Sequence, residues 1–314
     1  RLEQNYRSAG NILAAANALI SHNQNRLGKT LWTELGAGEP ISIYSAFNEQ
    51  DEAHFVAHRI QNWLREGHDP RTAAVLYRSN AQSRQFEEKL MAMGVPYRVY
   101  GGLRFFERAE IKDALAYLRL TANRQDDASF ERIVNTPARG IGPKSLDMIR
   151  SLAHAERLSL WEAMTLLAAD SAIPARARTP LAQFRQLIEQ LDERSAELSL
   201  WEKTQCAIIN SGLLDHYRKE RGEPAEQRIE NLEELTNAAR QFAHDAALDP
   251  EQPALDAFLA HAALESGEHQ SEPFASCIQL MTLHAAKGLE FNLVFVAGLE
   301  EGLFPSLQSL EDAG

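Results

Sequence analysis

The sequence predicts an α/β protein: a parallel sheet interrupted by a large all-α insertion. Three observations predict it. Strand and helix patterns alternate over residues 1–100, an almost purely helical pattern runs from about Phe105 to Ala275, and strand character returns at Cys277–Met281 and Leu293–Ala297. Strand–helix–strand alternation implies parallel pairing. Because the last strands come so late, they are expected to complete the sheet begun before the insertion.

Taken in order, Ser8 to Ile20 reads as a helix with an alanine-rich face, capped by Ser8. Ile41 to Ala46 is a short β-type run. Glu49 to Arg65 is amphipathic, with Phe55, Val56, Ile60 and Trp63 spaced for one face. Ala73 to Tyr77 reads as a buried strand and Ala81 to Met93 as a helix ended by Gly94. Tyr97 to Tyr100 is a further strand, stopped by Gly101-Gly102. The expected helices of the insertion are Arg108–Leu120, Asp127–Val134, Pro143–Ala155, Arg176–Leu198, Leu200–Ile209, Glu226–Phe242 and Pro253–Leu264. No internal repeat or low-complexity segment is visible.

The 314 residues suit one large or two ordinary domains, and 44% hydrophobic content can fill real cores. No apolar run approaches the ~20 residues that a membrane helix needs, and no secretory leader is seen. Cys206 and Cys277 have no metal or redox spacing, which suggests a reduced, cytoplasmic protein. The net charge of −12 argues against blanket nucleic-acid binding, but a grip along a narrow track needs only local basic patches. The chain starts at Arg1 and stops at Glu311-Asp312-Ala313-Gly314 without an obvious final element, as expected of a piece of a larger protein.

Several constellations carry chemistry. Tyr6 offers a ring to stack on a base, and Arg7 a guanidinium to meet a phosphate. On spacing alone, an ordinary surface arginine at a helix start is the simpler account. Arg78 and Asn80 follow a buried strand, where ligands bind in open α/β sheets. The competing account is a polar turn capped by Asn or Ser. Lys112 and Arg119 lie seven residues apart on one helix face, with Arg108 on the same broad side, a stripe suited to a duplex backbone. A solvated face with local pairs such as Arg108 to Asp113 fits the same spacing. Gly140 and Gly142 flank Ile141, and Pro143 suits the first helical position. Such a turn aims backbone N–H groups at a phosphate, with Lys144 and Ser145 as added donors. It resembles a helix-hairpin-helix turn, although Leu146 stands where that motif has a smaller residue. Thr282, His284 and Lys287 crowd a turn before the final strand and could face a single-stranded backbone, and Glu290 could accept from a ribose hydroxyl. No G-x-x-x-x-G-K-[ST] phosphate loop, Mg²⁺-holding Asp-Glu pair or Cys/His metal set occurs.

Five ordered blocks resemble the UvrD/Rep/PcrA group of superfamily 1 DNA helicases. They are QNYRS at 4–8, LYRSNAQSR at 76–84, YGGLRFFERAEIKDALAYLRL at 100–120, RGIG at 139–142, and LMTLHAAKGLEF at 280–291 with GLEEGLFPS at 298–306. The resemblance implies a RecA-like second motor domain, incomplete here, formed by residues 1–100 and 276–314, with a helical domain inserted at 101–275. It implies ATP with Mg²⁺ as cofactor of the longer parent, with none bound to this piece alone. Tyr6 would stack on adenine, Arg7 would meet the γ-phosphate as the catalytic contact, and Glu290 would touch the ribose. Arg78, Asn80, Thr282, His284 and Lys287 would follow single-stranded DNA. Lys112, Arg119, Gly140, Gly142, Lys144 and Ser145 would touch duplex DNA. The implied partners are single-stranded and duplex DNA, the first motor domain of the same parent, and mismatch- and excision-repair proteins, with no membrane and a nucleoid-associated cytoplasmic location. The implied parent is an ATP-dependent 3′–5′ helicase acting in DNA repair. A helicase–nuclease subunit, or a catalysis-free DNA-binding or docking module, is the alternative.

Overall fold

The computed structural model describes residues 3–23, 28–245, 252–267 and 276–304. Pro305 and Ser306 of the last block, and the final Glu311 to Gly314, lie outside them. Four parallel strands form one sheet: β1 (Ala73–Tyr77), β2 (Tyr97–Val99), β3 (Ile278–Thr282) and β4 (Leu293–Val296), in the order β2-β3-β1-β4. The late strand β3 therefore lies between β2 and β1. Its register pairs Val75 with Leu280 and Tyr97 with Ile278, while Val75 also pairs with Phe295 of β4. β1 is buried throughout, as a central strand covered on both faces must be, and its apolar run AAVLY reflects that.

Before the sheet come α1 (Gly10–Ser21) and α2 (Glu49–Arg65), and α3 (Ser83–Ala92) links β1 to β2. The buried face of α2, with Val56, Ala57 and Ile60, joins Phe86 and Leu90 of α3 against Val75, Tyr77, Val99 and Leu280. On the opposite face Ala74, Leu76 and Met281 meet Leu283, Ala285, Ala286 and Phe291. Asn48 caps α2 by accepting from the Asp51 N–H, and three acidic residues in the first turn complement the helix dipole.

Between β2 and β3 the chain is helical among the described residues: α4 (Ala109–Ala122), α5 (Asp127–Ile133), α6 (Pro143–Glu156), α7 (Leu160–Ala169), α8 (Ala175–Ser195), α9 (Leu200–Asn210), α10 (Leu213–Lys219), α11 (Glu223–Asp245) and α12 (Ala254–Gly267). They share one apolar core that includes Tyr117, Phe130, Phe184, Leu232 and Phe258.

Four expectations need correction. Ser8 does not cap α1; Ala9 holds that position without a side-chain bond, and the Ser8 N–H instead donates to Asn5 Oδ1 at 2.9 Å. Ile41 to Ala46 forms no strand. Its backbone finds no ladder among the described residues, and Ile43 is 92% exposed; β-propensity alone does not make a strand without a partner edge. Helix α3 starts later than expected because residues 80–82 form a 3₁₀ turn first. Helices α7 and α10 were absent from the sequence expectation.

Candidate nucleotide and nucleic-acid interface

Parallel pairing places the C-terminal ends of all four strands at one edge, the position where open α/β sheets bind ligands. Segments 78–82, 283–290 and 298–304 leave the sheet there.

Asn5 shapes the first cluster. Its side-chain Oδ1 accepts from the N–H groups of Arg7 and Ser8, both at 2.9 Å, an Asx turn that projects Arg7 outward. Arg7 Nε then donates to Glu290 Oε2 at 3.2 Å, across 283 positions of sequence. Two of the three residues expected at the nucleotide thus meet. Tyr6 stands beside them with 79% of its surface exposed, its hydroxyl donating to Gln4 Oε1 at 2.8 Å. The Arg7 and Glu290 side chains are 52% and 73% exposed, so their pair is worth at most about 1 kcal/mol and is readily exchanged for a ligand. The trio offers an aromatic face, a guanidinium donor and a carboxylate acceptor.

The expected single-strand residues gather along the same edge. Thr282 ends β3, and its Oγ1 accepts from the Ala285 N–H at 3.2 Å, while its carbonyl accepts from Ala286 N at 3.1 Å. These bonds start a tight winding that leaves His284 and Lys287 exposed and turns at Gly288, φ 91°. Leu283 N donates to the Tyr77 carbonyl at 2.8 Å, which ties this winding to the Arg78 loop. Arg78 is half-buried, and its guanidinium has no hydrogen-bond or ion-pair partner among the described residues. Asn80 is engaged instead: its Nδ2 donates to Gln227 Oε1 of α11 at 3.1 Å.

The expected duplex set is split. Lys112 and Arg119 lie half-buried on α4, whose other face is deep in the helical core. Arg108 does not join them. It precedes α4 in extended conformation and is buried, donating to Asn231 Oδ1 at 2.7 Å and Ser83 Oγ at 2.6 Å. Asp113 pairs with Arg132 at 2.6 Å rather than with Arg108. At the glycine turn, Gly140 has φ 80° and Gly142 is the N-cap of α6, with Pro143 opening the helix. Asn135 Oδ1 accepts from Arg139 N at 2.7 Å and Ile141 N at 3.3 Å. The Arg139 guanidinium lies over Tyr117 and Phe184 and donates to the Pro137 and Ser211 carbonyls, so the turn is stapled to the core. Lys144 is exposed. Ser145 faces inward and is buried, so it is not an outward donor; Leu146 packs against the core, which accounts for its size.

One group of residues was missed. Along α11, Gln227, Glu230, Asn231, Glu234 and Gln241 form a polar stripe, of which Asn231 bonds Glu110 and Arg108 at the start of α4 and the others bond the sheet unit. Ser79 donates to Glu230; buried Arg84 donates to Glu234 at 2.6 Å and to Gln241 at 2.6 Å; Asn231 donates to Glu110 at 2.6 Å. Glu87 completes the seam by accepting from Ser83 Oγ at 2.6 Å and from Phe105 N at 3.1 Å. Burial raises the Glu87 carboxyl above its ordinary range, opposed by Arg108 and these donors. A polar helical stripe in sequence reads as a solvated face, and only its i, i+3, i+4, i+7 spacing hinted otherwise.

The profile of the UvrD-like helicase C-terminal domain matches residues 1–313. The chain is 54% identical over its full length to proteins named DNA helicase II from Haemophilus influenzae and Escherichia coli, covering 43% and 44% of their lengths. It is 41% identical to the ATP-dependent DNA helicase PcrA of Leuconostoc citreum, over 99% of this chain and 42% of that protein. The chain therefore spans less than half the length of these relatives. A parallel four-stranded sheet carrying a large helical body, and a profile matched from end to end, establish that this chain belongs to the UvrD-like helicase C-terminal domain family.

Proposed function

We propose that this chain is the second motor domain, with its inserted helical domain, of an ATP-dependent 3′–5′ DNA helicase that unwinds duplex in DNA repair. In this reading residues 1–100 and 276–314 make the motor domain and 101–275 the insertion. The contact between Arg7 and Glu290 carries the proposal, because it unites two far-separated sequence blocks into one ligand-facing cluster. The donor set fits one side of a nucleotide. Tyr6 would stack on the base, Glu290 would accept from the ribose, and Arg7 would leave Glu290 to meet the terminal phosphate. Bound ATP supplies phosphoryl-transfer free energy. Arg7 would stabilise the charge on the transferring group and sense its loss, as an arginine finger does. Mg²⁺ would be held by the phosphates of the nucleotide and by carboxylates of the first motor domain.

Arg78, Asn80, Thr282, His284 and Lys287 would follow one strand. Lys112, Arg119 and Lys144, with the backbone of Gly140 and Gly142, would hold duplex ahead of it; Ser145 would act by packing the turn rather than by touching phosphate. Closure of the two motor domains and their release would loosen each grip in alternation and advance the strand. Repair-protein partners and a nucleoid-associated cytoplasmic location belong to the same proposal. Among the described residues no helix is long and apolar enough to cross a membrane.

The test is Arg7→Ala in the full-length parent. ATP turnover is expected to fall at least ~10³-fold, the scale of an arginine finger, with DNA binding largely intact. Normal turnover refutes the phosphate role.

A further inference from the structure

Gln82 joins the exits of two neighbouring strands. Its Oε1 accepts from the backbone N–H groups of Arg78 at 3.0 Å and Ser79 at 2.9 Å, closing the loop that follows β1. The other end of the same carboxamide lies against Gly298, just past β4: a Cβ on Gly298 would fall 2.0 Å from Gln82 Nε2. Gly298 has φ 68°, and its own N–H donates to Glu52 Oε1 of α2 at 2.9 Å. Between the two loops the sheet is intact, with Ala297 N donating to the Leu76 carbonyl at 2.9 Å.

A helix start explains only part of this. In a capping box the third helical side chain bonds the N-cap N–H, here Ser79. The bond to Arg78 lies before the cap, and the contact with Gly298 lies outside the turn altogether. The first acts directly on Arg78, whose guanidinium has no hydrogen-bond or ion-pair partner among the described residues, and the second fixes the carboxamide that makes that bond. A side chain at Gly298 would be strained by the left-handed φ and would push the carboxamide aside.

We propose that Gln82 is the positioning residue of the single-strand grip. It holds the backbone of Arg78 and Ser79 against the β4 exit, so that the Arg78 guanidinium is presented in one orientation, and Gly298 is the seat that carboxamide needs. The proposal rests on the reading of Arg78 as a DNA contact.

The experiment compares Gln82→Leu, Gln82→Glu, Gly298→Ala and Arg78→Ala in the full-length parent. It reads single-stranded oligonucleotide affinity and the KM for ATP at saturating DNA. Gln82→Leu leaves two N–H groups unmet and is expected to weaken single-strand binding about tenfold. Gln82→Glu, which keeps the accepting oxygen, is expected to restore most of it. The KM for ATP stays put in both, which a general loss of fold would not allow. Gly298→Ala displaces the carboxamide and should match Gln82→Leu, so it stands in if the leucine variant does not fold. Wild-type affinity in Gln82→Leu or Gly298→Ala, beside a weakened Arg78→Ala, overturns the positioning role alone. Unchanged affinity in Arg78→Ala overturns the single-strand reading of the loop and this proposal with it.

Discussion

Arg108 and Lys112 stand one helical turn apart in sequence and face opposite environments. The physical reason is local. Arg108 has φ −63° and ψ 143°, so it lies before the helix and the face-sharing rule does not reach it. Its guanidinium turns inward to Asn231, Ser83 and the Glu87 carboxylate, 3.7 Å away. Removing one member of such a buried set costs about 3–5 kcal/mol, because the partner charge stays buried and unpaired. Glu87 also makes stability depend on pH. Burial, its largest influence, raises its folded-state pKa above the ordinary 4.5. The folded chain thus keeps this proton to higher pH than the unfolded chain, so its stabilising contribution is complete below about 4.5 and declines as pH climbs through the folded value. Urea midpoints measured from about pH 4 to pH 7 should therefore fall more for the wild type than for Glu87→Gln; parallel profiles would refute the assignment. Arg7 and Glu290 show the contrary case, an exposed pair weak enough to be given up to a ligand.

Elements were legible where amphipathic period or punctuation was strong. Helix α2 spans the expected Glu49–Arg65, and β1 spans the expected Ala73–Tyr77. Helix α7 escaped because LWEAMTLLAA is apolar on most of its circumference, which erases the 3.6-residue signal. Its capping box, in which the Glu162 N–H donates to Ser159 Oγ at 3.2 Å and Ser159 N donates to Glu162 Oε2 at 2.8 Å, was the available clue. Ile41 to Ala46 shows the reverse failure: the β-type composition is real, but among the described residues no neighbouring edge receives it. The glycine turn before α6 combines both kinds of evidence. Its composition pointed to a phosphate-facing N-terminus, and the fold then buries Ser145 while leaving Lys144 exposed. Lys144→Glu in the parent should weaken duplex affinity about tenfold and reduce its salt slope by about one, while sparing single-strand affinity. Equal loss on both substrates would refute that division of labour.

The whole molecule is a sheet whose middle is filled from the far end of the chain. Strand β3 pairs with both β1 and β2, so the sheet cannot close until the helical segment has been traversed. The seam between that segment and the sheet unit is largely hydrogen-bonded, through Arg84, Gln85, Glu87 and the α11 stripe. Under the proposed function, a motor half without a phosphate loop in its sequence should not turn over ATP by itself. The isolated chain is expected to show no DNA-stimulated ATPase, and measurable turnover in a clean preparation would overturn the proposed division between motor domains. The sequence by itself determined the α/β class, the strand and helix identities with strong periodicity, and the five blocks that mark the family, because these depend on local pattern and local turn chemistry. Only the tertiary structure decided that Arg7 meets Glu290, that Arg108 and Ser145 point inward, that Asn80 is held by Gln227, and that Gln82 spans two strand exits. Each of these is a contact between distant residues, and its direction is set by packing and by the need to satisfy buried polar groups, which no local pattern records.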